Sequence, residues 1–141
     1  MDATEYRDVL NTLGNPIARD LWWAWASTPM LHEVPQFPQH TDREQREKCR
    51  AVLPFIRTID GMTTAEAIDT IGIDGWRVGL YFETLVSALI HAHPQWTLVG
   101  ADVPIRQEGR TLGAFDFIVR GADGAHEHWE IAVKFYLLLG D

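Results

Sequence analysis

The sequence has a single cysteine, Cys49, among 141 residues. That excludes an internal disulfide framework and a cysteine-built zinc site, and it fits a reducing compartment. Basic charge is scarce as well: 12 Lys and Arg face 20 Asp and Glu, for a formal net charge of −8 at pH 7. The balance has the wrong sign for a protein that coats nucleic acid or lies on an anionic membrane, so any nucleic-acid contact must be local. No apolar run reaches the length of a membrane span, and Met1-Asp2-Ala3-Thr4-Glu5 offers neither a basic nor an apolar leader segment. A cytoplasmic protein without membrane association is expected. Repeats and low-complexity tracts are absent. What is present, 46% hydrophobic and 23% charged residues, is the composition of an ordinary globular domain, with a length that suits one core.

Residues 1–75 read as a helical region. Asp2 with Glu5 forms a capping box ahead of Tyr6, Val9, Leu10 and Leu13, which repeat at helical spacing until Gly14. Asn15 and Pro16 open a second helix that carries Trp22, Trp23 and Trp25, read as a buried aromatic anchor because basic residues do not interleave with them. Pro29, Pro35 and Pro38 keep residues 29–40 in a long loop. Thr41 with Glu44 caps a helix through about residue 53, where Pro54 kinks or ends it, and Thr63 with Glu66 caps a short helix ending near Gly72.

Residues 76–141 change character. A helix over 76–92 is apolar almost all round, which predicts burial on more than one side. Extended stretches follow: 96–99 with 103–106 as a first strand or bulged pair at an edge marked by Pro104, then 111–120, then 126–139. Gln107-Glu108-Gly109-Arg110 and Gly121-Ala122-Asp123-Gly124 supply the turns. The fold class is α+β, with N-terminal helices ahead of a helix and a three-stranded antiparallel meander, the whole forming one compact domain. Within the second strand, Asp116 interrupts Ala114-Phe115-Asp116-Phe117-Ile118-Val119, a run apolar on both faces. A carboxylate buried there needs a hydrogen-bond network, a basic partner such as Arg110 or Arg120, or a cation. Glu130 repeats the situation between Trp129 and Ile131, and strand alternation puts Lys134 on its face. Two acids and a lysine converging across adjacent strands can hold Mg²⁺ and orient a water for attack on phosphorus.

These residues resemble the PD-(D/E)XK, or restriction-endonuclease-like, nuclease superfamily. Gly79-Leu80-Tyr81-Phe82-Glu83, the stretch from Gly109 to Phe117, and His128-Trp129-Glu130-Ile131-Ala132-Val133-Lys134-Phe135-Tyr136 are similar to one bacterial branch of it, domain-of-unknown-function family 1853. The opening Arg19-Asp20-Leu21-Trp22-Trp23 and Pro29-Met30-Leu31 also resemble that branch. The resemblance implies a restriction-endonuclease-like core, Mg²⁺ or Mn²⁺ held by Asp116 and Glu130, Lys134 as the water-positioning residue, and Glu83 as an outer ligand or orienting base. It implies action on DNA or RNA. Two departures stand out. The superfamily lysine lies two residues after the acid, where this chain has Ala132, whereas Lys134 lies four residues on, roughly 13 Å along a strand. The chain also stops after the third strand, where the family core continues into a further helix and strand, so a second copy or a missing C-terminal segment is expected to cover the apolar tail.

The expected activity is metal-dependent phosphodiester hydrolysis, by an active nuclease or its degenerate remnant. The alternative is a non-catalytic module that keeps the nuclease fold for binding. A zinc-dependent hydrolase using His126, His128 and Glu130 ranks third, because same-face positions on one strand do not close a tetrahedral site unaided. His91 and His93 read as surface residues near a helix end. Arg43, Arg46, Arg50 and Arg57 fall on one helical stripe and offer the sole basic surface for a nucleic-acid backbone; with Glu44 and Glu47 interleaved, a salt-bridged solvated face is the preferred reading.

Overall fold

Helices precede strands in the computed structural model, which describes residues 3–27, 41–75 and 77–134. Among them are α1 (Ala3–Thr12), α2 (Pro16–Ala26), α3 (Asp42–Asp60), α4 (Thr64–Ile71), α5 (Val78–Ala92), β1 (Thr97–Gln107), β2 (Arg110–Arg120) and β3 (His126–Trp129). The result is α+β, with a three-stranded antiparallel sheet in the order β1-β2-β3. Asp2 of the first capping box, the loop over 29–40, Trp76 and the tail from 135 onward lie outside the described residues.

Side-chain caps start the helices where the sequence places them. Asn15 accepts a bond from the Ile17 amide at 2.8 Å ahead of Pro16, and both Thr41–Glu44 and Thr63–Glu66 close as reciprocal capping boxes. Asp60, at the end of α3, accepts bonds from the Gly14 and Asn15 amides at 2.7 and 2.8 Å and so ties the α1–α2 junction to α3.

Pro54 does not end its helix; α3 runs through it to Asp60. The exposed proline removes one backbone donor, a cost of about 3 kcal/mol in a helix interior. Val52, Ile56 and Ile59 on either side of it are fully buried, and each contributes about 1.5–3 kcal/mol by leaving water. Packing therefore outweighs the break. The core also takes in Ile17, Leu21, Trp22 and Trp25 of α2, the second half of α5, and Phe117 and Val119 of β2. Trp22 and Trp25 form the anticipated aromatic anchor, while Trp23 is 36% exposed and meets Phe82 edge-on at 5.9 Å.

Burial of α5 is confined to Leu85, Val86, Leu89 and Ile90; Val78 and Leu80 are each 49% exposed. Burial on more than one side, as expected, holds in its later turns, while in its first turn Tyr81 still reaches α2 by donating to Asp20 at 2.6 Å. In the sheet, β1 is one continuous edge strand, bulged between Leu98 and Gly100 and again between Ile105 and Arg106, with Pro104 at the edge as anticipated. The β1–β2 turn places Glu108 and Gly109 at φ +50° and +78°, the left-handed pair that a two-residue hairpin requires.

Two corrections concern β2 and β3. Phe117 and Val119 are 3% and 1% exposed, but the alternating Asp116 and Ile118 are half-buried, so β2 is packed fully on one face only. β3 ends at Trp129, and residues 130–134 leave the ladder. At that point the Asp116 carboxylate of β2 reaches across and accepts the Ile131 amide at 2.8 Å, occupying a donor otherwise open to strand pairing. No helix among the described residues is long and apolar enough to cross a membrane.

Candidate functional site

Two clefts open on either side of α5, and Glu83 lines both. The larger, of about 740 Å³, is bounded by Glu83, Ser87 and His91 of α5, Asp102 of β1, and Asp116 and Phe117 of β2. The smaller, of about 340 Å³, places Glu83 and Phe82 opposite Ile131 and Lys134. Of the residues singled out from the sequence, Glu83 shares the larger cleft with Asp116 and the smaller with Lys134, while neither cleft holds both Asp116 and Lys134. Lys134 is exposed and lies beyond the end of β3, so the strand rise that set it roughly 13 Å from Glu130 does not apply to it.

Asp116 has two neighbours that define its chemistry. One is the Ile131 amide, which its Oδ2 accepts. The other is Asp102, which lies between the paired residues Ala101–Phe117 and Val103–Phe115 and therefore stands across the ladder from Asp116. Like charges opposite one another on a sheet are destabilising unless something compensates them. Asp102 also adopts φ +49°, a left-handed conformation that aspartate tolerates better than most residues.

Glu130 is not the buried strand acid the sequence suggested. The strand breaks one residue before it, its side chain is 59% exposed, and its Oε1 lies 2.5 Å from His128 Nε2. It lines neither of the two clefts. The zinc reading loses its basis in the same way: among the described residues, no group of three His, Cys, Asp or Glu side chains is placed to hold a metal ion. What remains in the larger cleft is a small set of carboxylates. Glu83, Asp102 and Asp116 line that cleft without forming a three-ligand cluster, so a tetrahedral zinc centre does not fit it.

Three arginines of the stripe, Arg43, Arg50 and Arg57, have polar partners. Arg43 meets Glu47 at 2.9 Å, which raises the guanidinium pKa through the hydrogen bond and the charge of Glu47; Arg50 meets Glu5 at 3.5 Å, and Arg57 donates to Thr12 Oγ1 at 2.7 Å. Arg43 pairs with an interleaved acid, whereas Arg50 and Arg57 turn to Glu5 and Thr12 of α1.

Sequence reasoning passed over Asp102 and misplaced His93. His93 is 5% exposed, and its ring stacks on Trp96 with centroids 3.6 Å apart. Burial lowers its pKa, and the positive charge of Lys48 lowers it further. The apolar turn residues around His91 and His93 carried no signal separating the exposed one from the buried one.

The family model described as Domain of unknown function (DUF1853) matches residues 19–141. The chain belongs to that family. No curated protein and no solved structure matches it. In this DUF1853 chain the matched stretch takes in α3, α4, α5, the whole sheet and both clefts, while α1 lies before it.

Proposed function

We propose that this DUF1853 protein is a nuclease-like phosphodiester hydrolase of restriction-endonuclease-like ancestry, dependent on Mg²⁺ or Mn²⁺ and acting on DNA or RNA. The observation that carries the reading is the shared position of Glu83, which belongs both to the cleft holding Asp116 and to the cleft holding Lys134. The Glu, Asp and Lys of the superfamily pattern therefore line two clefts that share Glu83, which supports the reading. Asp116 and Glu83 would hold the cation, with Asp102 adding negative charge from the facing strand; the cation supplies charge neutralisation for the phosphate under attack. Lys134 contributes a mobile ammonium that orients a phosphate oxygen or the attacking water. Glu130, turned toward His128, is withdrawn from the ligand set as the structure stands.

The second reading is a non-catalytic module with a nuclease-like fold. Its support is specific: both acids of the motif already have protein partners, Asp116 the Ile131 amide and Glu130 the His128 ring. Cleavage of single- and double-stranded DNA and RNA with Mg²⁺ or Mn²⁺ separates the two readings. Metal-dependent cleavage that disappears in Lys134→Ala, with metal-induced thermal stabilisation retained, is the expected result. Silence of the wild type on all four substrates, with no shift in melting temperature at millimolar metal, refutes the hydrolase and leaves the module.

A further inference from the structure

The larger cleft carries two kinds of surface. Along α5, Glu83, Ser87 and His91 recur every fourth residue, a polar stripe whose ends stand about 12 Å apart at roughly 1.5 Å per residue. The same cleft takes in Phe55 of α3 and Ile71 of α4. Its other phenylalanine, Phe117, is 3% exposed, whereas Phe55 is half-buried and offers part of its side chain to a ligand. His91 is exposed. Its Nδ1 donates to the Ser87 carbonyl at 2.8 Å, because a carbonyl only accepts, and Nε2 is left as the ring atom outside that bond.

Proteins hold a single nucleic-acid strand by combining aromatic side chains, on which bases stack, with cationic groups that follow the backbone. We propose that the larger cleft takes a single-stranded nucleic acid, DNA or RNA, with an unpaired base against Phe55 and a backbone phosphate at His91. A duplex offers Phe55 no base face, because its bases are paired and stacked on one another and only their edges reach the grooves. As an imidazolium, His91 donates from both nitrogens, so Nε2 bonds the phosphate while Nδ1 keeps the Ser87 carbonyl.

The inference rests on the metal-dependent reading proposed above. Glu83, Asp102 and Asp116 line the same cleft and repel a phosphate backbone until a cation offsets them. The stripe then divides the work: the roughly 12 Å from Glu83 to His91 puts the histidine at a neighbouring phosphate, not at the one beside the cation. Phe55 selects strands whose bases are free. Hydrolysis alone leaves strandedness open, and the open aromatic side chain decides it in favour of the single strand.

The test measures, by fluorescence anisotropy in millimolar Mn²⁺ at about pH 6.5, binding of the full chain to phosphorothioate probes of about 12 nucleotides. The probes are single-stranded DNA, single-stranded RNA, the DNA duplex and an abasic DNA strand. At least one single strand is expected to bind about tenfold or more tighter than the duplex. Phe55→Leu should weaken that strand at least about fivefold, the lower end of one lost base–aromatic contact, and leave the abasic strand unchanged. His91→Ala should weaken the base-bearing and abasic strands alike, by about threefold or more, since it acts on the backbone. The inference is overturned if no strand binds, if the duplex matches the single strands, if Phe55→Leu spares the base-bearing strand or weakens the abasic one equally, or if His91→Ala changes neither. Cleavage assays on the same sequences with ordinary phosphodiester linkages keep the two proposals apart. Single-strand binding without any cleavage refutes the hydrolase alone, and cleavage of the duplex alone refutes the single-strand inference alone.

Discussion

Asp116→Asn separates a structural acid from a metal-binding one. The substitution keeps the shape of the side chain and an oxygen that can accept the Ile131 amide, now 2.8 Å away, but it removes the charge. A hydrogen bond to a charged acceptor is worth about 1.5–3 kcal/mol and a neutral one about 0.5–1.5, so loss of charge alone costs about 1 kcal/mol at this bond. The metal-free variant should therefore melt within a few degrees of the wild type, on the order of 2–4 °C for 1 kcal/mol in a chain of this size. In millimolar Mn²⁺ the wild type should gain stability and Asp116→Asn should not. Differential scanning fluorimetry reads both, and amide exchange at Ile131 reports the bond directly. Equal stabilisation of both proteins by Mn²⁺ would place the cation elsewhere, and 130–134 amides that stay unprotected in Asp116→Ala would refute the account of why β3 ends.

Lys48 makes stability depend on alkaline pH. Its folded pKa of about 8 lies below the ordinary lysine value, so the unfolded chain binds more protons across the window from about 8 to 10.5 and stability rises as pH climbs through it. Cys49, pushed up to about 11 by burial, acts in the opposite sense, so the measurement is the difference between wild type and Lys48→Met in urea unfolding at pH 7 and pH 9.5; the wild type should gain about 1–2 kcal/mol relative to the variant. A difference that does not change with pH would mean that the amine is not desolvated. Thr63→Ala removes the capping oxygen of α4 and the partner that holds the Glu66 carboxyl below its usual pKa, and should cost about 1 kcal/mol by thermal melting; a loss below about 0.3 kcal/mol would show that tertiary packing alone sets the start of α4.

Local chemistry was legible in the sequence to the extent that local interactions decide the structure. Thr41, Thr63 and Asn15 cap helices through oxygens that reach amides two or three residues away, so their roles depend on little beyond spacing. The Glu108-Gly109 turn is equally local, because its backbone angles demand particular residues. Pro54 shows where this ends. A helix-interior proline acts locally, but the burial of Val52, Ile56 and Ile59 that carries α3 past it depends on packing against α2, far off in sequence.

The site obeys the same division. Alternation along an apolar run placed Asp116 on its strand, but no periodicity could disclose that its carboxylate would reach across to Ile131 and stop the neighbouring strand. Once β3 stops at Trp129, Glu130 turns toward His128, and Lys134 is released from the straight line on which it stood too far from the acid. The lysine that looked displaced by two residues then reaches the cleft it shares with Glu83 by way of the break, not along the strand. Residue spacing measures distance only where the secondary structure persists, and the same carboxylate that marks the site also ends the strand. Restoring the ladder should therefore move Lys134 away from Glu83. If amide exchange in Asp116→Ala shows the 130–134 amides newly protected as strand, Lys134 should lose its role in cleavage even though it is unaltered.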